Sequence, residues 1–229
     1  MKYKYETHLH TSPVSACARA SVEESVRAYK ELGYAGVFIT NHFVDGNIAF
    51  EIRGHSYEEM LHFYYKDYLD AKAVGEEIGI DVFFGVELAY AGTDFLVYGL
   101  NMDWYLAHPE IQGMSKKEEL NLMRDAGALV IQAHPFREAR YIDHIRLYPR
   151  DVHGTEIINA SRTPEENAMA KLYCEHYGLI PFAGTDNHTG AARTTFAGME
   201  CDERITDEWD FVRRVLDGQM QIFSINTQE

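Results

Sequence analysis

Residues 3–12, YKYETHLHTS, open the chain with a run that reads as a strand and closes on an H-x-H pair. Side chains two apart on a strand share one face, so His8 and His10 project the same way. Two imidazoles at the end of a first strand need partners, and what the rest of the chain sends to meet them decides both fold and chemistry.

Outward from this stretch the pattern is alternation. Ser21 and Glu24 form an S-x-x-E capping box before a helix that ends at Gly33. AGVFITNH (35–42) is an apolar, β-branched run and reads as a buried strand. Residues 56–78 read as a long helix closed by Gly79, DVFFGVELAY (81–90) as a strand, and DFLVYGL (94–100) as its neighbour across a Gly-Thr turn. SKKE at Ser115 caps another helix, running to about Ala126. The strands ALVIQAHP (128–135) and TEIINA (155–160) follow, then a helix opened by Thr163-Pro164. LIPFAGTDNH (179–188) reads as strand and loop, Thr206 as the cap of a last helix to Leu216, and MQIFSI (220–225) as a final strand. Strands alternating with helices imply parallel βαβ units. With no internal repeat and no Pro/Gly/Ser-rich linker, the expectation is one α/β domain over residues 1–229. About seven strand–helix units would suit a compact, nearly closed barrel, although pattern alone also permits a doubly wound open sheet.

Composition narrows the function. The chain of 229 residues is 46% hydrophobic and carries a formal net charge of −15. That balance disfavours tight binding to duplex nucleic acid, which relies on Lys and Arg to neutralise phosphates. No apolar run is long enough for a membrane span and the N-terminal stretch has no secretory h-region. The three cysteines, Cys17, Cys174 and Cys201, form no C-x-x-C pair, so a reducing, cytoplasmic setting is expected.

Ligand-type residues recur at the C-terminal ends of the expected strands: His8 and His10, His42, Glu87, His134, and Asp186 with His188. Sites in barrels and open α/β sheets form at that end. Imidazole and carboxylate together suit Zn, Mn or Fe. Each motif is weak alone; the shared register is the signal.

In this order the motifs resemble the PHP family, the polymerase and histidinol phosphatase superfamily: HxH (8–10), T-x-H (40–42), G-x-E (85–87), AHP (133–135) and GTDNH (184–188). The resemblance spans about residues 4–190. It implies a distorted (β/α)7 barrel, TIM-barrel-like, and a cluster of two or three divalent metal ions used to hydrolyse phosphoesters. Carried over, it places His8, His10, Glu87 and Asp186 on one metal. Glu87 would bridge to a second, shared with His134, and His42 and His188 would hold a third. Glu87, His134 and Asp186 are then the residues expected to carry catalysis. Where the family usually adds a histidine to the second site, this chain has Asp94, an expected ligand in its place. Two departures bear on the third site. The loop after HxH, TSPVSACARAS, has no carboxylate or imidazole, leaving Cys17 as its soft ligand, and Asn41 stands where T-D-H would have a carboxylate.

Arg137, Arg162 and Arg193 follow three of these strand ends and are candidates for gripping phosphate oxygens. The expected partner is a small phosphate ester such as a phosphorylated metabolite or nucleotide. The alternatives are a nuclease or nucleotide phosphatase on short nucleic acid ends, and a catalytically inactive metal-binding regulatory domain. His55, His62, His144, His153 and His176 read as solvated or capping, and His108 as a surface turn. Cys174, Cys201 and the aromatics of HFYYKDY (62–68) read as core, and GMECDERITDEWD (198–210) as a solvated acidic face.

Overall fold

The computed structural model describes residues 2–228. These form nine strands and six α-helices: β1 Tyr3–Leu9, α1 Val22–Glu31, β2 Gly36–Ile39, α2 Tyr57–Ile78, β3 Asp81–Tyr90, β4 Thr93–Tyr98, α3 Met102–Ala107, α4 Lys116–Asp125, β5 Leu129–Ala133, β6 Gly154–Asn159, α5 Pro164–Tyr177, β7 Ile180–Gly184, β8 Thr195–Cys201, α6 Glu208–Leu216 and β9 Gln221–Asn226. Capping boxes at Ser21, Ser56, Ser115 and Thr163 start four of the helices as the sequence indicates. Gly79 closes α2 in the left-handed region.

One sheet joins all nine strands in the order β7-β6-β5-β4-β3-β2-β1-β8-β9 and curls into a nearly closed, TIM-like barrel. It is mixed rather than wholly parallel. β4 runs antiparallel between β3 and β5, and β8 antiparallel beside β1. β3 and β4 form the hairpin read across the Gly-Thr turn, and β5 reaches β6 through residues 134–153 without a helix, so the run of strand–helix units is interrupted at both places. β8 falls inside the stretch expected to be a loop and a solvated acidic face; Gly198 and Met199 are part of a buried strand. A Cβ at Gly198 would lie 2.1 Å from the Tyr5 carbonyl, so the β1–β8 contact requires glycine there. The last helix is capped by Asp207, whose carboxylate accepts from Asp210 N at 2.8 Å, and not by Thr206.

The barrel closes where β7 meets β1. His10 N donates to Asn187 O (2.9 Å) and Asn187 N to His8 O (3.2 Å). The fully buried Glu6 staples the seam, accepting from the amides of Thr7, His8 and Thr185 at 3.0, 2.8 and 2.9 Å.

Apolar alternation sorts the core into two layers. Val37, Ile39, Val82, Phe84 and Val86 pack outward against the helices. Phe38, Phe83, Leu96, Tyr98 and Phe182 point inward. Phe38 of β2, Tyr98 of β4 and Phe182 of β7 touch across the lumen, and Phe211 of α6 reaches all three, plugging the N-terminal end. No helix among the described residues is long and apolar enough to cross a membrane.

Candidate metal centre

The same inward-facing rows continue upward as imidazoles and carboxylates, the candidate ligands. On β3 the sequence Phe83, Gly85, Glu87 holds one face, and on β4 Tyr98, Leu96, Asp94 does so. β1 needs a correction of phase, because Tyr5 faces in and strict alternation would turn His8 out. A register shift between Glu6 and Leu9 supplies it. After β5 and β7 the backbone itself turns: His134 and Asp186 have φ of 24° and 54°, rare values for residues bearing a side chain. Such strain persists where the surroundings impose it, commonly at functional sites.

His8, His10, His42, Glu87, Asp94, His134, Asp186 and His188 therefore meet at the C-terminal mouth. Glu87 lies at the centre. Its oxygens are 3.1 Å from His8 Nε2, 3.4 Å from His10 Nε2, 2.7 Å from His42 Nδ1 and 3.3 Å from His134 Nε2. Asp186 lies 3.6 and 3.5 Å from the same nitrogens of His8 and His10, and 3.4 Å from His188 Nδ1. Asp94 is 3.8 Å from His134 Nε2. Four overlapping groups have metal-ligand spacing: His8-His10-Glu87, His8-His134-Asp186, Glu87-Asp94-His134 and His10-His42-His188. His10 thus reaches both the first expected site and the third.

Hydrogen bonding fixes which atoms face the centre. Glu156 Oε1 accepts from His8 Nδ1 at 2.9 Å, while its Oε2 takes the His134 amide (2.9 Å) and Asn159 Nδ2 (2.9 Å). His10 Nδ1 lies 3.0 Å from Ser15 Oγ. Ser15 has already spent its proton on Asn41 Oδ1 (2.7 Å), since that oxygen also takes the Thr11 amide and must be an acceptor. His10 therefore donates from Nδ1. Asn41 Nδ2 in turn donates to Thr11 Oγ1 (2.9 Å) and to the buried Asp67 (2.7 Å). With both Nδ1 atoms protonated, the Nε2 lone pairs of His8 and His10 point at the oxygens of Glu87 and Asp186. These two lone pairs and the carboxylate oxygens crowd one small volume, where His134 Nε2 also lies 3.3 Å from Glu87. His42 Nδ1 and Glu87 Oε2, though 2.7 Å apart, make no hydrogen bond and have no other partner. Buried groups of this kind need a compensating cation, so the residues fit divalent metal.

The electrostatics agree. Burial opposes charge on His8, but Glu156, Asp186 and Glu87 outweigh it and hold that imidazole well above its usual range. Burial likewise works against His42, yet Glu87 raises it to about 10. Burial would raise Glu87, but His42, His8 and His10 keep it far below the usual carboxylate range. Asp94 is raised, by burial and by the field of Glu87. His10 goes the other way: burial, with His188 and His42 beside it, holds that imidazole well below its usual range.

Above it opens a cavity of about 610 Å³ lined by Cys17, His42, Arg53, Arg137, Tyr141, Arg162 and His188, among others. Arg137 pairs with Asp94 at 3.1 Å, and the Nε atoms of Arg137 and Arg162 are buried without a partner. Arg193 donates to Ala160 O at 2.7 Å and lies outside the lining. Sequence reasoning missed Arg53, Glu156, Ser15 and Asp67. Glu156 carried one readable signal, a carboxylate inside the apolar strand TEIINA. Of the histidines outside the site, His55, His62, His144 and His176 are exposed. His153 departs from its solvated reading: half-buried, it accepts from Val130 N at 3.1 Å, and burial with the nearby Arg124 lowers it to about 4.

No protein-family model matches the sequence, and no curated protein matches it. Solved structures do. A two-domain protein from Bacteroides vulgatus, described as containing a PHP-like metal-dependent phosphoesterase, superposes over 97% of this chain with a TM-score of 0.69 at 15% identity. The chain spans 65% of that protein's length. A Bifidobacterium adolescentis protein, described as a "putative metal-dependent phosphoesterase", covers 94% of this chain and is itself covered over 96%, with a TM-score of 0.55 at 16% identity. An amidohydrolase from Chromobacterium violaceum covers 95% of this chain and is covered over 97%, with a TM-score of 0.53 at 13% identity. The chain has the fold of PHP-like phosphoesterases, with clustered buried His, Asp and Glu at its mouth able to take metal.

Proposed function

We propose that the chain is a metal-dependent phosphoesterase that hydrolyses a small phosphate monoester. The observation that carries this is the pairing of a floor of convergent acceptor ligands with a wall bearing Arg53, Arg137 and Arg162 in one cavity. His8, His10, Glu87 and Asp186 would hold one ion, Glu87, Asp94 and His134 a second, and His42 and His188 a third. When bound, such ions supply Lewis acidity, acidifying coordinated water and offsetting phosphate charge.

The chain's own residues do the rest. Glu87, common to the first two sites, would serve both ions when they are bound. Glu156 and Ser15 hold the rings of His8 and His10 in one tautomer. Asp94 fixes Arg137 so that its guanidinium faces the cavity, and the unpartnered edge of Arg162 offers a second grip on phosphate oxygens. The cavity is of the size that encloses a small molecule, which favours a metabolite or nucleotide over a polymer.

The test is a hydrolysis screen after loading with Zn, Mn or Fe, using aryl and sugar phosphates, mononucleotides, short oligonucleotides, and acyl or amide substrates. Turnover of monoesters, abolished by chelator and weakened at least about tenfold in KM by Arg162→Ala, is expected. The tenfold loss is what one charge-assisted contact of about 1.5 kcal/mol contributes. Preference for oligonucleotides, for amides, or no turnover by a metal-loaded protein would overturn the reading.

A further inference from the structure

We infer that Cys17 is a metal ligand, its thiolate completing the His42–His188 corner and making that corner a sulfur-containing site for zinc or ferrous iron rather than manganese or magnesium. The inference rests on the metal-centre reading above and adds the ligand that the chain's own loop supplies.

Three observations meet here. The first is place: Cys17, the exposed cysteine, lines the same cavity as His42 and His188. Its loop is pinned on each side. Ala16 N donates to Asn47 O at 2.9 Å, and Arg19 N to the carbonyl of His188 itself at 2.8 Å. The second is need. The rings of His10, His42 and His188 crowd together, with centroids 4.3 Å apart for His10 and His42 and 4.2 Å for His10 and His188. The buried His42 Nδ1 and Glu87 Oε2 in this corner have no hydrogen-bond partner. The third is elimination. Asn41 is spent on Thr11, Ser15 and Asp67, and the hydroxyls of Thr11 and Ser15 are engaged in the same network. Cys17 is then the remaining strong donor of the loop 11–21. A thiolate favours borderline-soft cations and disfavours hard ones.

Cobalt(II) substitution separates this proposal from its parent. Cobalt in nitrogen–oxygen sites gives visible d–d bands; a cobalt–thiolate bond adds a near-ultraviolet charge-transfer band. Cys174 and Cys201 are buried, with Sγ against Leu179 O and Glu203 O, so a thiolate band reports Cys17. The expected result is d–d bands with one thiolate band per chain. Cys17→Ser should lose that band and one equivalent of zinc, with the remaining d–d bands kept. Bound zinc should also slow alkylation of Cys17 by iodoacetamide at least tenfold. Visible bands without a thiolate band, or one unchanged in Cys17→Ser, would overturn the Cys17 assignment and leave the cluster standing. Failure to take up any cobalt would overturn both.

Discussion

The two ends of this barrel are made from the same strands and do opposite things. At the N-terminal end, Phe38, Phe83, Tyr98 and Phe182 close over Phe211 of α6 in an apolar, aromatic layer. At the C-terminal end, a few residues further along, the same rows present His42, Glu87, Asp94 and Asp186. The aromatic end is stabilising, because apolar surface leaves water. The histidine–carboxylate end costs stability, because it buries charge and unpaired acceptors and strains the backbone at His134 and Asp186. One end is built for folding and the other for binding, so perturbations should separate the two.

The largest separation is expected from Phe211→Ala. Emptying an aromatic site in the plug should lower unfolding free energy by about 3–5 kcal/mol, measured by urea titration, with metal stoichiometry in the folded protein unchanged. Loss of metal at full folding would break the division between the ends.

The next tests the cost of the polar end through pH. Burial raises Asp67 from 3.8 to about 6, against the hydrogen bonds of Thr11 and Asn41. For a carboxyl raised on folding, the native state binds the extra proton between those values, so stability falls as pH rises from about 4 to 6. The loss at pH 7 is about 3 kcal/mol at most. Asp67→Asn can keep one acceptor oxygen and should flatten that interval in metal-free protein. Parallel stability curves for wild type and variant would contradict the assignment.

The smallest effect sharpens the comparison within the mouth. In Glu156→Gln one oxygen becomes a donor facing donors, the His134 amide, Asn159 Nδ2 or His8 Nδ1. Loss of such an outer partner typically weakens metal affinity about 10–100-fold, readable by competition with a chromogenic chelator. Unchanged affinity would make Glu156 a core residue alone.

The legibility of the two ends in the sequence also differs, for physical reasons. Four helices were legible through their capping boxes or terminal glycines, because capping is local chemistry; the short α3 was not read. Candidate ligands were legible through their position at strand ends: the structure gathers all eight at one mouth, including Asp94. What was hidden depends on contacts distant in sequence. The antiparallel β8 answers to its pairing partners β1 and β9 rather than to its own residues, and it runs through Gly198 into an acidic stretch. The bulge that turns His8 inward leaves no mark in HLH. The chain from Asp67 through Asn41 and Ser15 to His10 joins residues up to 57 positions apart, so no spacing announces it. Asn41, read as a departure from T-D-H, has a physical role: its amide nitrogen donates to Asp67, where an aspartate would face a second carboxylate.

The central claim is that the mouth is a metal centre, and elemental analysis tests it most directly. Purified protein, incubated in turn with Zn, Mn and Fe(II) and freed of excess ion, should retain two to three metals per chain, and His8→Ala with Asp186→Ala should retain at least one fewer. A folded wild-type protein that retains none of the three would contradict the account.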